Sequence, residues 1–247
     1  MIKLFVTDLD GCISYPFRTP RWESINKIRE LNIKSRQDNL IPPLTICTGR
    51  PYPYAEAVAQ WLDVRLPFVF ESAGLFISDK YKIHSALEQN NGILDSIKEM
   101  REWMEEFVIP KFPSAMIEFT KRMDAGIVAT DKDVIDAIIP VVKEKMESDF
   151  PHLEMHVTDV SVNVLVGGNN KLQGMKLLAE HLNITLDEIA YIGDTGGDLV
   201  ALKEVKMPFA PKNATAAVRK NSTTLNSEVT DAVLEAYERV VTYNRSL

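Results

Sequence analysis

The sequence predicts an α/β fold: a Rossmann-like, doubly wound parallel sheet interrupted by an inserted α+β cap domain. Three observations predict it. The apolar runs IKLFVTD, LTICTGR, LPFVFES and EIAYIGD are continuous rather than alternating, as strands buried on both faces require. Helical stretches alternate with those runs at both ends of the chain, the pattern of βα units in a parallel sheet. Between residues 81 and 169 the rhythm changes to helix, hairpin, helix, hairpin, an α+β unit. The expected division is therefore a core of residues 1–80 with 170–247, and a cap of residues 81–169.

Each element follows in order. IKLFVTD stops at charge and glycine, and Trp22 to Leu31 is helical, with Ile25, Ile28 and Leu31 three apart. Pro42-Pro43 breaks the chain before the second strand, LTICTGR. Tyr54 to Leu62 is a second helix, and LPFVFES the third strand. Within the insertion, a helix spans Gly92 to Phe107, and AMIEFTKRMDAGIVAT forms a hairpin with Met123-Asp124 near its turn. Lys132 to Ser148 is the next helix, and LEMHVTDVSVNVLV the second hairpin. Returning to the core, NNKLQGMKLLAEHL lines up Leu172, Met175, Leu178, Ala179 and Leu182 on one helix face. EIAYIGDTGGD is a strand entering a Gly/Asp loop, with a helix near Leu199 to Lys203, a final strand KMPFAP and a closing helix from Asp231 to Val241.

Composition limits the partners. The chain has 247 residues, 45% of them hydrophobic, and a formal net charge of −7. An acidic balance argues against nucleic acid or an anionic membrane as partner, since both need a basic surface. No apolar run reaches membrane-spanning length and the N-terminus lacks a signal-peptide pattern, so a cytoplasmic protein is expected. Cys12 and Cys47 are the only cysteines, too few for a disulfide framework. They read as small buried residues. His84, His152, His156 and His181 show no ligand spacing for zinc, and Trp22, Trp61 and Trp103 read as packing residues of helices. Oligomeric state is not legible.

The polar clusters fall at strand ends, where open parallel sheets bind ligands. Asp8 and Asp10 are two apart, so in extended chain both carboxylates face one side. An Asx-type turn would explain them equally well. The alternative is chemical: one carboxylate attacks an electrophile while the other carries a proton. Asp194 and Asp198, four apart among three glycines, fit a hard-metal site such as one for Mg²⁺. Lys171 sits in the first turn of a helix capped by Asn169 or Asn170, where a cation opposes the macrodipole, so it points to an anion. Thr48 and Gly49 add a hydroxyl and free amides for phosphate oxygens.

DLDGC, TICTGR, Lys171 and GDTGGD resemble, in order, the four motifs of the haloacid dehalogenase superfamily of phosphohydrolases. The insertion resembles the type-2 cap of its Cof-like branch. The tail, FAPKNATAAVRKNSTTLNSE, is similar to the end of archaeal-type phosphoglycolate, sucrose-phosphate and mannosyl-phosphoglycerate phosphatases. The resemblance implies that Asp8 is a nucleophile forming an aspartyl-phosphate and Asp10 the general acid/base. It implies Mg²⁺ held by Asp8, the Asp10 carbonyl and Asp194, with Asp198 ligating the ion or ordering one of its waters. It also implies that Thr48, Gly49 and Lys171 bind phosphate. Two departures stand out: Gly197 replaces the asparagine usual before Asp198, and Leu172-Gln173 intervene between Lys171 and Gly174. Asn213 is a candidate substitute for the missing amide, and Arg50 and Arg122 are candidate substrate contacts. The implied function is Mg²⁺-dependent hydrolysis of a small phosphorylated metabolite, phosphoglycolate or a sugar phosphate. A phosphotransferase with another acceptor and a non-catalytic phospho-ligand sensor are the alternatives; a sensor has no need of both nucleophile and acid/base.

Overall fold

The computed structural model describes residues 1–16, 18–77, 82–85 and 91–247. The expected boundary at 80/81 lies outside the described residues. The chain divides into two compact units, residues 1–86 with 170–247, and residues 87–169.

In the first unit, strands β1 (Leu4–Thr7), β2 (Leu44–Ile46), β10 (Ile189–Ile192), β11 (Met207–Ala210) and β12 (Thr223–Thr224) form a parallel sheet in the order β12-β11-β10-β1-β2. A single parallel bridge, Cys47 to Val69, brings β3 (Phe68–Phe70) alongside β2. The faces are covered separately. On one side Phe5 stacks on Tyr237 of α8 (Val229–Arg245), which packs with α1 (Trp22–Lys34). On the other, Leu4, Val6 and Tyr191 join Met175 and Leu178 of α5 (Lys171–His181) and Ala201 and Leu202 of α6 (Gly196–Leu202). Successive β1 residues thus point to opposite layers, and both layers are apolar, which is why the run does not alternate. None of the described helices is long and apolar enough to cross a membrane.

Several elements differ from expectation. After β3 the chain turns back through β4 (Gly74–Ile77) and β5 (Lys82–Ser85) in an antiparallel meander. KMPFAP is not the last strand: α7 (Ala216–Lys220) leads to β12 at the sheet edge. Trp22 and Trp61 meet edge to face, yet both remain partly exposed. Trp61 closes α2 (Tyr52–Trp61), which packs on β2 and β3.

The second unit is a four-stranded antiparallel sheet, β6 (Met116–Ile117), β7 (Asp124–Val128), β8 (Leu153–Thr158) and β9 (Ser161–Val166), in the order β6-β7-β9-β8. Ala125, Ile127, Val162 and Val164 bury one face with Ile97 and Met100 of α3 (Asn91–Trp103) and Ile135 and Ile138 of α4 (Lys132–Asp149). Past Trp103 the helix loosens into a π turn (Met104–Val108) and a 3₁₀ turn (Ile109–Lys111), where Pro110 has no N–H to carry the ladder on. Met123 and Asp124 do lie at the end of the hairpin turn, where Asp124 opens β7 opposite Leu165 and is buried.

Candidate active site

The site in the first unit is built where β1, β2 and β10 end. Asp8 follows β1 directly, and its N–H donates to the Ile192 carbonyl at 3.0 Å, tying the ends of β1 and β10 together. The chain then coils tightly, with the N–H groups of Cys12, Ile13 and Ser14 all directed at the Leu9 carbonyl. Gly11 makes that coil possible. Its φ is +70°, and a Cβ there would lie 1.9 Å from Asp194 Oδ2. Two aspartate loops from distant parts of the sequence therefore meet across a bare backbone.

Lys171 lies at the bottom of this cluster. Asn170 caps α5 by accepting from the N–H groups of Leu172 and Gln173, which leaves Lys171 in the first turn as expected. Its ammonium is buried, 2.9 Å from Asp8 Oδ2 and 2.6 Å from Asp198 Oδ1. Burial works to lower its pKa, but Asp198 and Asp8 hold it well above the ordinary lysine value. Gly174 explains the spacing after Lys171. A Cβ there would sit 2.3 Å from the Ser72 carbonyl, so the glycine lets α5 close onto the turn after β3.

Asp198 is fully buried and saturated. Its Oδ1 accepts from Lys171 Nζ at 2.6 Å and from the Tyr191 hydroxyl. Its Oδ2 accepts from the N–H of Asp194 at 3.1 Å, and from the N–H and hydroxyl of Thr195 at 3.0 and 3.2 Å. Burial works against its charge, yet Lys171, Tyr191 and Thr195 together keep its carboxyl below the usual carboxylate range. Asp8 and Asp194 fare differently. Burial, with Asp198 adding and Lys171 opposing, pushes Asp8 up to about 7. Burial, then Asp8 and Asp198, pushes Asp194 up to about 8.

The charges thus do not balance within the protein, and one atom marks the deficit. Asp194 Oδ1 is buried with no hydrogen-bond partner. Oxygens of Asp8, Asp194 and Asp198 all lie within 4.8 Å of one another, a hard-oxygen set suited to Mg²⁺. With Asp198 already filled by protein donors, Asp8 and Asp194 are the carboxylates with capacity for a cation.

The remaining candidates take varied places. Thr48 is buried at the end of β2, where its hydroxyl accepts from the Arg50 N–H at 3.1 Å. Gly49 follows it, and its position would bring a Cβ only to ordinary contact with the Ser72 hydroxyl. Arg50 grips Asp10 through Nε and Nη2, at 2.6 and 3.0 Å, while lying over the Tyr54 ring. Asn213 donates from Nδ2 to the Gly11 carbonyl at 2.9 Å and accepts from the Val229 N–H at 3.0 Å, bracing the Asp10 loop against the start of α8. Arg122 belongs to the second unit, between β6 and β7. Beside it Lys121 pairs with Asp124 at 2.8 Å and reaches Asn163 at 3.2 Å. Cys12 and Cys47 are buried thiols, and burial first, then nearby carboxylates, raises both pKa values.

Two contacts within the candidate site escaped the sequence reading: Arg50 holding Asp10, and Tyr191 holding Asp198. The only hint of the second was a lone polar-tipped aromatic inside the apolar run IAYI.

Comparison with known proteins agrees with this architecture. Over its full length the chain is 26% identical to a phosphoglycolate phosphatase of Methanopyrus kandleri, covering 97% of that protein. A crystal structure of a Thermoplasma acidophilum protein superposes with a TM-score of 0.76 at 18% identity, covering 97% of this chain and 98% of that one. The sucrose-phosphatase of Synechocystis, solved with sucrose and phosphate, gives a TM-score of 0.66 at 14% identity, covering 97% and 98%. These two share the fold. The model of one family, haloacid dehalogenase-like hydrolases, matches residues 110–236. The chain belongs to the haloacid dehalogenase-like hydrolases.

Proposed function

We propose that this protein is a Mg²⁺-dependent phosphomonoester hydrolase acting on a small phosphorylated metabolite through an aspartyl-phosphate at Asp8. The observation that carries the reading is the arrangement around Lys171. One buried ammonium is shared by Asp8 and Asp198, beside an Asp194 oxygen that lacks any partner. Such a cluster is costly in a fold that only needs stability. It suits a site that receives a cation and a phosphoryl group.

Mg²⁺, held by the carboxylates of Asp8 and Asp194 and the Asp10 carbonyl, would supply positive charge against the phosphoryl oxygens and the two carboxylates. Asp8 attacks phosphorus in line with the leaving oxygen. Asp10 gives that oxygen a proton, then takes one from the water that cleaves the aspartyl-phosphate. Arg50 keeps the Asp10 carboxylate in one orientation between these roles. Lys171, Thr48 and the Gly49 amide hold the phosphoryl oxygens. Asp198, with no spare lone pair, serves by fixing Lys171 rather than by direct ligation. Asn213 acts as a brace of the loop.

The names of the relatives favour phosphoglycolate first, with sugar phosphates next. The test is release of inorganic phosphate from p-nitrophenyl phosphate and a phosphometabolite panel, with and without Mg²⁺, with Asp8→Asn as control. Turnover that needs both the metal and Asp8 supports the reading. Absence of metal-dependent turnover on every substrate defeats it.

A further inference from the structure

We infer that Tyr191 is a positioning residue of the phosphoryl-transfer site, its hydroxyl fixing the Asp198 oxygen on which the Lys171 ammonium rests. The inference rests on the phosphatase reading above and extends it to a residue outside the four motifs.

Tyr191 is the third residue of β10, paired in register with Val6 of β1 and Pro208 of β11. Its ring is fully buried among Leu4, Val6, Cys47, Met175 and Leu178. A phenylalanine would fill the same space, so packing does not account for the hydroxyl. That hydroxyl reaches the floor of the site and donates to Asp198 Oδ1. The choice of oxygen matters. Asp198 Oδ2 is occupied by the loop, through Asp194 and Thr195, whereas Oδ1 is the atom that meets Lys171. Tyr191 therefore acts on the functional end of the carboxylate.

Two consequences follow for Lys171. Its long side chain has several rotatable bonds, and its ammonium is located only by the anions it touches. A second donor on Oδ1, held by the buried ring, narrows where that ammonium can rest. The phenol also takes up part of the negative charge on Oδ1, so Asp198 competes less strongly with Asp8 for the same cation. Lys171 is then kept 2.9 Å from Asp8 Oδ2, where it can meet the phosphoryl group, instead of collapsing wholly onto Asp198.

The experiment compares Tyr191→Phe with Tyr237→Phe in the full-length protein with Mg²⁺. Tyr237 is the control because it is equally buried and its hydroxyl donates to the Pro42 carbonyl, away from the site. Both variants lose one buried hydrogen bond and fall in Tm. For Tyr191→Phe we expect kcat per folded molecule to drop about tenfold or more with KM within about twofold, as misplacement of a charge-stabilising group predicts. Inhibition by vanadate, which mimics the five-coordinate phosphorus, weakens more than inhibition by inorganic phosphate. Tyr237→Phe keeps its kcat and that inhibition ratio. If Tyr191→Phe retains wild-type kcat and ratio, or if Tyr237→Phe loses as much, the inference is overturned while the phosphatase reading stands. If the wild type itself turns over nothing, that reading fails and takes this inference with it. Should Tyr191→Phe not fold, 3-fluorotyrosine placed at position 191 keeps the shape and changes the donor. A changed kcat at constant KM then supports the role, and an unchanged one overturns it.

Discussion

Replacing Asp194 with asparagine should stabilise the metal-free protein while abolishing its response to Mg²⁺. The fold raises the Asp194 carboxyl from 3.8 to about 8, first by burial and then through Asp8 and Asp198. Between about pH 4 and pH 8 the folded protein thus keeps a proton that the unfolded chain releases. Folded protein binding more protons means that stability falls as pH rises through this window. At pH 7 the window has been crossed by about three pH units, a ceiling of about 4 kcal/mol at about 1.4 kcal/mol each. Partial solvent access to Asp194 reduces this, and about 2 kcal/mol is the working figure. Asparagine carries no such penalty. In EDTA at pH 8, calorimetry should place the Tm of Asp194→Asn about 4–8 °C above wild type. At pH 4 the two should nearly coincide. Added Mg²⁺ should raise the wild-type Tm and leave the variant unmoved. A variant no more stable than wild type at pH 8 in EDTA refutes the reasoning, because Asp194 would then not be the strained carboxylate.

Three further outcomes follow from the same geometry. Gly11→Ala places a Cβ 1.9 Å from Asp194 Oδ2 at a φ of +70°, so activity should fall at least about 100-fold, with about 2 kcal/mol of stability lost in denaturant titration. Arg50→Met frees the Asp10 carboxylate, and kcat should fall more for an alkyl phosphate, whose leaving group needs a proton, than for p-nitrophenyl phosphate. Equal losses on both would argue against Asp10 as the acid. Lys171→Met leaves Asp8 and Asp198 facing each other without a cation, so kcat/KM should drop about 100-fold or more. Metal-free stability should also drop, by about 3 kcal/mol, in the same titration.

Much of this was legible in the sequence because it is local. The buried strands announce themselves as unbroken apolar runs, and the helices by spacing. The placement of Lys171 followed from capping chemistry alone, since an asparagine before it fixes the first turn. Short edge elements were not legible. Thr223-Thr224 carries too few residues to show a period, and GLFI is a four-residue run whose return against β3 no spacing marks. The β3–β4 turn runs through Glu71 and Ser72 at φ of +44° and +66°, positions where glycine or asparagine would have given a clearer signal. Asp124 does stand beside the hairpin turn, but its burial, with Lys121 paired to it, depends on tertiary packing that spacing does not show. Partnerships such as Arg50 with Asp10 or Tyr191 with Asp198 depend on where side chains end in space, which no spacing rule encodes.

The central claim is that Asp8 becomes covalently phosphorylated. The direct measurement is borohydride trapping during turnover with Mg²⁺ and a phosphomonoester, followed by mass spectrometry of the peptide bearing the first strand. Hydride reduces an acyl phosphate to an alcohol with loss of phosphate, so the account predicts homoserine in place of Asp8, dependent on substrate and absent from unreacted protein. Asp8 recovered unmodified, together with an Asp8→Asn variant that still turns over at the wild-type rate, would contradict it.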